Sequence, residues 1–255
     1  MKPLLDFGFI QIPTFYLIIS LTATFVLLLI HKQTENYRVN DRKFIFDLVI
    51  IIMIAGFLGA RIFHIIYEEL DFYMTFPLEM FKFWKGGFVY FGGFITALFC
   101  SFIFITHRKQ NFWTWADFLT PYVGLSYAFG RIGCFFEGCC YGQFCELPWA
   151  IQHKHPTQLY MFFAEVLLLI FLIKFKTWAL LNKGYFYSRI FKFEGSFFLF
   201  WLFGHGLNRF IIEFWRNDDR GALLLDHSIS QWFSFCFIIL SLIIYLFKFR
   251  KLYSN

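Results

Sequence analysis

The chain has 255 residues, of which 59% are hydrophobic and 16% are charged, and its mean hydropathy is +0.59. These values exclude a soluble globular enzyme and predict a polytopic membrane protein. The formal net charge of +6 is distributed among the loops, so it does not indicate a nucleic-acid-binding surface.

Long apolar segments follow one another along the whole chain, and each is a candidate transmembrane helix. A span needs about 20 apolar residues, so a chain of this length has room for about seven spans joined by short loops. This predicts an all-α integral membrane protein with one polytopic domain over residues 1–255 and no separate soluble domain. The predicted spans are 9–30, 44–67, 88–106, 113–129, 159–173, 195–215 and 231–247.

The distribution of lysine and arginine predicts the orientation of these spans. The loops after the first, third and fifth spans, together with the C-terminal tail, carry about twice as many of these residues as the loops on the other side. The positive-inside rule then places the N-terminus outside and the C-terminus in the cytoplasm. Residues 130–142 are therefore expected on the outer face.

The second predicted span ends "GFLGARIFHIIYEE" and carries an arginine, Arg61, inside the membrane. Such an arginine costs at least about 2.5 to 3.5 kcal/mol and needs a partner or a function. Small residues beside it allow close helix packing, so this face is expected to be internal. His64 lies on the same face; it is either a general base or, as we prefer, a hydrogen-bonded interior histidine.

Two glycine pairs lie between the second and third spans, in "GGFVYFGG" at 86–93. Gly92 and Gly93 form the second pair. Such pairs mark bends or a close approach of the backbone to a ligand. A hinge or a packing role is the alternative.

The segment "GRIGCFFEGCCYG" at 130–142 follows the fourth span directly. Its glycines, Gly130, Gly133, Gly138 and Gly142, predict a sharply turning chain whose backbone N–H groups face an anion, with Arg131 supplying positive charge. The four cysteines from Cys134 to Cys145 have the spacing C-x4-C-C-x4-C, which does not match a zinc site, so we expect no metal. These cysteines either form disulfides or pack as free thiols, and the sequence is compatible with both states.

The segment "HKHPTQLYMFFAEV" leads into the fifth span, with Pro156 well placed at the helix start. His155, Gln158 and Tyr160 are then expected to point from the outer interface into the pocket. Glu165 lies about two turns deeper, where a carboxylate should pair with an arginine. Arg61 is the candidate partner.

The sixth span ends "GHGLNRFIIEFWRNDD", which places Arg209, Glu213 and Arg216 on one helical face. Two arginines exceed the charge that one glutamate neutralises, so the spacing predicts an anion, such as a phosphate, that completes the cluster. An ion pair that satisfies itself is the alternative. We expect Arg61 and Arg209 to share one polar pocket, with snorkelling to lipid phosphates as the alternative for each.

Taken in order, these segments resemble the bacterial prolipoprotein diacylglyceryl transferase family. Its central signature, approximately GRxGNFxNxExxG, is similar to "GRIGCFFEGCCYG", and its "HPSQLYE" is similar to "HPTQLYM" at 155–161. Its "RxxxEFxRxPD" is similar to "RFIIEFWRNDD" at 209–219. Smaller matches are the aromatic-Tyr pair at 15–16, "GAR" at 59–61 and "GGFVYFGG" at 86–93. The resemblance covers essentially the whole chain.

The resemblance implies an enzyme of the bacterial inner membrane, active at its outer face, that transfers a diacylglyceryl group from phosphatidylglycerol to the lipobox cysteine of a prolipoprotein. Its partners are then phosphatidylglycerol, the prolipoprotein signal peptide and membrane lipid, with no cofactor, no metal and no nucleic acid, and we expect a monomer. Together with the residue patterns, it implies catalytic roles for Arg131, Arg209, Glu213 and Tyr16. It also implies substrate-binding roles for Arg61, Gly92, Gly93, Gly130, Gly133, Glu137, Gly142, His155, Gln158, Tyr160 and Arg216.

Several positions depart from the family pattern. Phe91 replaces the family's histidine and cannot accept a proton, which leaves Tyr90, Tyr16, His64 and Glu137 as possible bases. The other changed positions are Cys134, Glu137, Cys139, Asp218 and Ser230. Two alternatives therefore stay open: a related transferase with another acceptor, and a lipid-binding or transport protein without catalytic activity.

Overall fold

A computed structural model describes residues 4–6, 11–181, 190–217 and 227–253. Within them, a two-stranded antiparallel sheet precedes a series of helices. The strands are β1 (Leu4–Asp6) and β2 (Gln11–Pro13). The helices are α1 (Thr14–Gln33), α2 (Val39–Tyr67), α3 (Leu70–Thr75), α4 (Tyr90–His107), α5 (Phe112–Glu137), α6 (Thr157–Leu181), α7 (Ser196–Glu213) and α8 (Ile229–Tyr253). Short 3₁₀ turns occupy Pro77–Phe81 and Phe83–Lys85.

Each predicted span corresponds to one long helix, but several bounds were wrong. The first span does not start at residue 9, because residues 11–13 form a strand and α1 starts at Thr14. The fourth span does not end at 129, because α5 continues to Glu137. The departure at Asp218 lies outside the described residues.

Five of these helices are long and apolar enough to cross a membrane: α1, α2, α4, α6 and α8. The protein is therefore a largely helical, multi-pass membrane protein. Helices α5 and α7 correspond to the fourth and sixth predicted spans and carry Arg131 and Arg209, respectively. The count of about seven spans and the orientation stay predictions, as does the single domain.

Residues 33–112 form one compact unit, built on the packing of α2 against α4. Glycines allow this packing. A Cβ on Gly59 would collide with Thr96, and a Cβ on Gly92 would collide with Phe63. A Cβ on Gly93 would press on the carbonyl of Gly56. The glycine pair at 92–93 therefore lies in a tight contact between α4 and α2, as the packing alternative predicts.

Residues 1–32 and 113–255 form the second unit, in which α7 packs against both α6 and α8. The start of α7 is held by Asp117 of α5, whose carboxylate accepts hydrogen bonds from the backbone N–H groups of Gly195 at 2.9 Å and Phe198 at 2.8 Å. These groups have no partner inside the helix, so the carboxylate caps it. Trp201 and His205, both fully buried, lie farther along α7.

Candidate active site

The first part of the segment 130–142 is helical, so the prediction that all four of its glycines turn the chain was wrong. Gly130 and Gly133 lie within α5, where a Cβ on Gly133 would meet the ring of Phe15 and one on Gly130 would reach Ile19 at 3.8 Å. These two glycines therefore face α1. The helix forms because it buries this small-residue surface against its neighbour.

Gly138 ends α5 in a Schellman motif. Its φ of 80° is a left-handed conformation that favours glycine. The backbone N–H of Cys139 donates to Cys134 O at 3.2 Å, and that of Gly138 donates to Phe135 O at 3.3 Å. The motif folds Cys139 back over the last turn of the helix. Here the predicted turn is confirmed.

Arg131 lies on the last turns of α5 and is buried, with 9% of the residue exposed. Its Nη2 donates to the hydroxyl of Tyr127 at 2.7 Å, and its guanidinium carbon lies 4.7 Å from the centre of the Tyr127 ring. The two residues are four positions apart on one helical face. Tyr127 therefore fixes the direction of Arg131 and shields its charge from lipid.

On α7 and just beyond it, the predicted cluster of two arginines and one glutamate is formed. Arg209 Nη2 lies 2.8 Å from Glu213 Oε2, and Arg216 Nε lies 3.7 Å from the same oxygen. Ser228 donates to Glu213 Oε1 at 2.9 Å, and Arg209 Nη2 also donates to Ser230 at 3.1 Å. Glu213 thus lies between two guanidinium groups.

Arg209 is 3% exposed, and two of its nitrogens, Nε and Nη1, are buried without a hydrogen-bond partner among the described residues. Its guanidinium does not snorkel, so that alternative was wrong. Arg131 and Arg216 lie within electrostatic range of it. Arg209, Arg216 and Glu213 together carry one excess positive charge, which fits an anion as a further partner of the cluster.

Glu165 of α6 is fully buried and has partners other than the expected arginine. It accepts a hydrogen bond from Trp201 Nε1 at 2.5 Å, and its other oxygen lies 2.9 Å from His205 Nδ1. The predicted pairing of Glu165 with Arg61 was therefore wrong. The ring of His205 lies edge-on to Tyr127, with centroids 4.6 Å apart, so this polar group lies beside the partner of Arg131.

The loop that follows α5 is tied to α6 and to the end of α7. Thr157 donates to Cys140 O at 2.6 Å, and Gln158 donates to Cys139 O at 2.5 Å. The backbone N–H of Gly142 donates to His155 O at 2.8 Å, and Gly142 forms an antiparallel bridge with Arg216. A Cβ on Gly142 would collide with Trp215 O, so only glycine fits at this crossing.

His155 and Tyr160 form part of an aromatic cluster at the start of α6. The hydroxyl of Tyr160 accepts from Trp149 Nε1 at 2.8 Å and lies 3.1 Å from His155 Nδ1. The Trp215 ring lies near both, with centroid distances of 6.4 and 6.5 Å. Two predicted substrate-binding residues, His155 and Tyr160, therefore pack near Trp215, which directly precedes Arg216.

In the other unit, Arg61 organises the segment that follows α3. Its guanidinium donates to four backbone carbonyls, and its carbon lies over the ring of Tyr73 at 5.3 Å. The carbonyls are those of Glu79 at 2.9 Å, Met80 at 3.2 Å, Gly86 at 2.5 Å and Gly87 at 3.2 Å. Snorkelling was the wrong alternative here too. Whether Arg61 and Arg209 share one pocket stays a prediction.

His64 is a buried, paired histidine, as we preferred. Its Nδ1 lies 2.6 Å from Glu68 Oε2, and its ring packs edge-on against Tyr73. Phe91, at the position of the family's histidine, is buried in α4 and packs against Tyr90 with ring centroids 5.5 Å apart.

Tyr16 and Glu137 have fewer contacts than their predicted roles suggested. Tyr16 is 40% exposed on α1, packs edge-on against Phe15 and forms no hydrogen bond within the described part of the chain. Glu137 is the exposed last residue of α5 and forms no ion pair with any described residue. Among the described residues, neither side chain forms a hydrogen bond or an ion pair with an arginine.

All six cysteines are thiols. The sulfurs of Cys134, Cys139 and Cys140 lie within 4.8 Å of one another, whereas Cys145 is buried outside this group. Hydrogen bonding with Cys134 and Cys140, together with burial, raises the pKa of the Cys139 thiol well above its usual range.

Two residues of the site were missed from the sequence, Tyr127 and His205. Each lies four positions before an arginine on the same helix, Tyr127 before Arg131 and His205 before Arg209. This spacing places them on the face of the arginine, so a search for polar or aromatic side chains at that distance finds both.

A family model described as prolipoprotein diacylglyceryl transferase matches residues 2–247. Three similar proteins are each named phosphatidylglycerol–prolipoprotein diacylglyceryl transferase. The protein of Cupriavidus metallidurans is 30% identical over 215 residues, which cover 80% of this chain and 76% of that protein. The protein of Bordetella parapertussis is 29% identical over 228 residues, covering 86% and 82%. The protein of Clostridium tetani is 31% identical over 265 aligned residues, covering 98% and 100%. The chain therefore belongs to the prolipoprotein diacylglyceryl transferase family.

Proposed function

We propose that this protein transfers the diacylglyceryl group of phosphatidylglycerol to the thiol of a lipobox cysteine and releases glycerol phosphate. Family membership supports the reaction. In this chain the main structural support for the reaction is the buried guanidinium of Arg209. Its Nε and Nη1 have no hydrogen-bond partner among the described residues. Nε and Nη1 lie on different edges of the guanidinium, and each can donate a charge-assisted hydrogen bond to an anion such as a phosphate.

The reaction requires positive charge where the phosphate leaves. A carbon–sulfur bond forms between the lipobox cysteine and the glycerol carbon, while the bond between that carbon and a phosphate oxygen breaks. The leaving glycerol phosphate gains negative charge, which Arg209 and Arg131 stabilise from fixed positions. Glu213 keeps the two guanidinium groups oriented, because its Oε2 lies 2.8 Å from Arg209 Nη2 and 3.7 Å from Arg216 Nε.

The nucleophile is the thiolate, so the acceptor thiol must lose its proton. Phe91 cannot take it. The Nδ1 of His64 lies 2.6 Å from Glu68 Oε2, a pairing that orients the ring and leaves Nε2 as a candidate base. The buried group of Glu165 and His205 lies beside Tyr127, which contacts Arg131. The arginines and this polar group are therefore the parts of the molecule to test first for effects on transfer.

The finer predictions about the setting belong to the same proposal. The chain is a single domain of about seven spans in the bacterial inner membrane, its N-terminus outside, and it acts as a monomer on substrates at the outer face. Reporter fusions test the orientation. A C-terminal reporter that is active only outside the cytoplasm contradicts it.

The central experiment uses the purified full-length protein in phosphatidylglycerol vesicles with a synthetic lipobox peptide. Mass spectrometry should detect the diacylglyceryl thioether on the peptide, and glycerol phosphate should appear in equal amount. Arg209→Gln should abolish both products, while Arg250→Gln, an exposed position at the end of α8, should retain them.

Each other outcome separates the alternatives. Glycerol phosphate without the thioether indicates a transferase with a different acceptor. Neither product, together with saturable binding of phosphatidylglycerol, indicates a lipid-binding or transport protein. Either result contradicts the proposed reaction.

A further inference from the structure

We propose that Cys134, Cys139 and Cys140 form a three-thiolate site for a thiophilic d10 metal ion such as Zn²⁺. Their three sulfurs lie within 4.8 Å of one another, and the Cys139 and Cys140 sulfurs are 3.6 Å apart. A metal–sulfur bond of about 2.3 Å places coordinated sulfurs about 3.8 to 4.0 Å apart. The group therefore needs to move by only about 1 Å to bind an ion.

The backbone preforms this arrangement, which the spacing of the cysteines alone does not reveal. The Schellman motif at Gly138 turns Cys139 back so that its backbone N–H bonds Cys134 O. Cys140 follows with a φ of 65°, a left-handed conformation that costs a residue with a Cβ about 1 to 2 kcal/mol. This unusual conformation directs a third sulfur toward the other two.

Residues outside the group hold the loop in place. The carbonyl of Cys139 is held by Gln158 and that of Cys140 by Thr157, and both of these α6 side chains are buried. The loop therefore cannot move freely away from Cys134. Fixed ligands favour metal binding because less ordering is needed when the ion arrives.

The charge of the surroundings also fits. Three thiolates and a divalent ion carry a net charge of −1, which is costly to bury alone. Arg131, three residues before Cys134 and buried, lies within electrostatic range of Cys134 and Cys140 and supplies a positive charge. In the binding step each thiol releases its proton to solvent as its sulfur–metal bond forms, so no oxidant or reductant is needed.

The test is a titration of reduced, metal-free, full-length protein in detergent with Cd²⁺, which gives an ultraviolet thiolate-to-metal charge-transfer band. We expect the band to saturate at one Cd²⁺ per chain and to require more Cd²⁺ when Zn²⁺ already occupies the site. Cys134→Ser, Cys139→Ser and Cys140→Ser should each weaken binding at least about 10- to 100-fold, the loss that even outer-shell changes produce. Cys236→Ser, which alters an exposed cysteine of α8, should bind like the natural protein.

Three results overturn the proposal. The first is the absence of a saturable band, and the second is an unchanged band in Cys139→Ser. The third is a protein isolated without metal whose intact mass lacks two hydrogens, since this shows a disulfide instead. If a serine variant does not fold, two measurements on the natural protein still test the proposal. These are the number of Cd²⁺ ions bound per chain and the rise of its melting temperature with Zn²⁺. The measurement is independent of transferase activity, so its failure and that of the proposed function are distinguishable.

Discussion

Replacing Arg209 with lysine tests whether the unpartnered part of the guanidinium binds the phosphate. Lysine keeps a positive charge beside Glu213, which lies 2.8 Å from Arg209 in the natural protein, but it has no counterpart of Nε and Nη1. Two charge-assisted hydrogen bonds contribute about 1.5 to 3 kcal/mol each, so their loss amounts to about 3 to 6 kcal/mol. Because the ammonium still attracts the phosphate, we expect the lower value, which is roughly a 150-fold decrease in rate.

The assay is the initial rate of thioether formation on a lipobox peptide in phosphatidylglycerol vesicles. Arg250→Lys provides the matched control, because it makes the same substitution at an exposed position on α8. Both variants should elute as the natural protein does in detergent. A decrease of less than about fivefold for a folded Arg209→Lys would mean that Nε and Nη1 do not contact the reacting phosphate.

Three further predictions concern stability, measured as thermal unfolding in detergent. Gly138→Ala should cost about 1 to 2 kcal/mol because its φ of 80° disfavours a Cβ, whereas Gly130→Ala inside α5 should be neutral or stabilising. Glu165→Gln should cost about 3 kcal/mol because it breaks a buried pair, and exposed Glu35→Gln should cost nothing measurable. Asp117→Ala should cost about 1 to 2 kcal/mol and speed hydrogen exchange at the start of α7; unchanged exchange would contradict its capping role.

The helical architecture was predictable because apolar segments of sufficient length identify spans directly. The end of α5 was not. Glycines at 130 and 133 indicated a turn by their local preference, but the chain uses them to let α5 approach Phe15 and Ile19 of α1. A contact between segments more than 100 residues apart in sequence thus overrides a local signal.

The same limit applies to the site. The cluster of Arg209, Glu213 and Arg216 was predictable because it depends on spacing within one segment. The partners of Glu165 were not, because they come from another helix that sequence spacing does not relate to α6. Local periodicity therefore identified which side chains share a face, whereas the pairing of faces required the structure.

The positions of Arg131 and Arg216 relative to each other depend mainly on the backbone. From Arg131, α5 continues to Glu137, and the loop then reaches Gly142, which bridges directly to Arg216. Gln143 adds a second link, since its backbone N–H donates to Trp215 O at 2.8 Å. The loop on this path carries Cys139 and Cys140 at one end and the glycine crossing at the other. A change in the loop can therefore alter the distance between two cationic side chains without touching either guanidinium, and in an enzyme that stabilises a leaving phosphate that distance affects the rate.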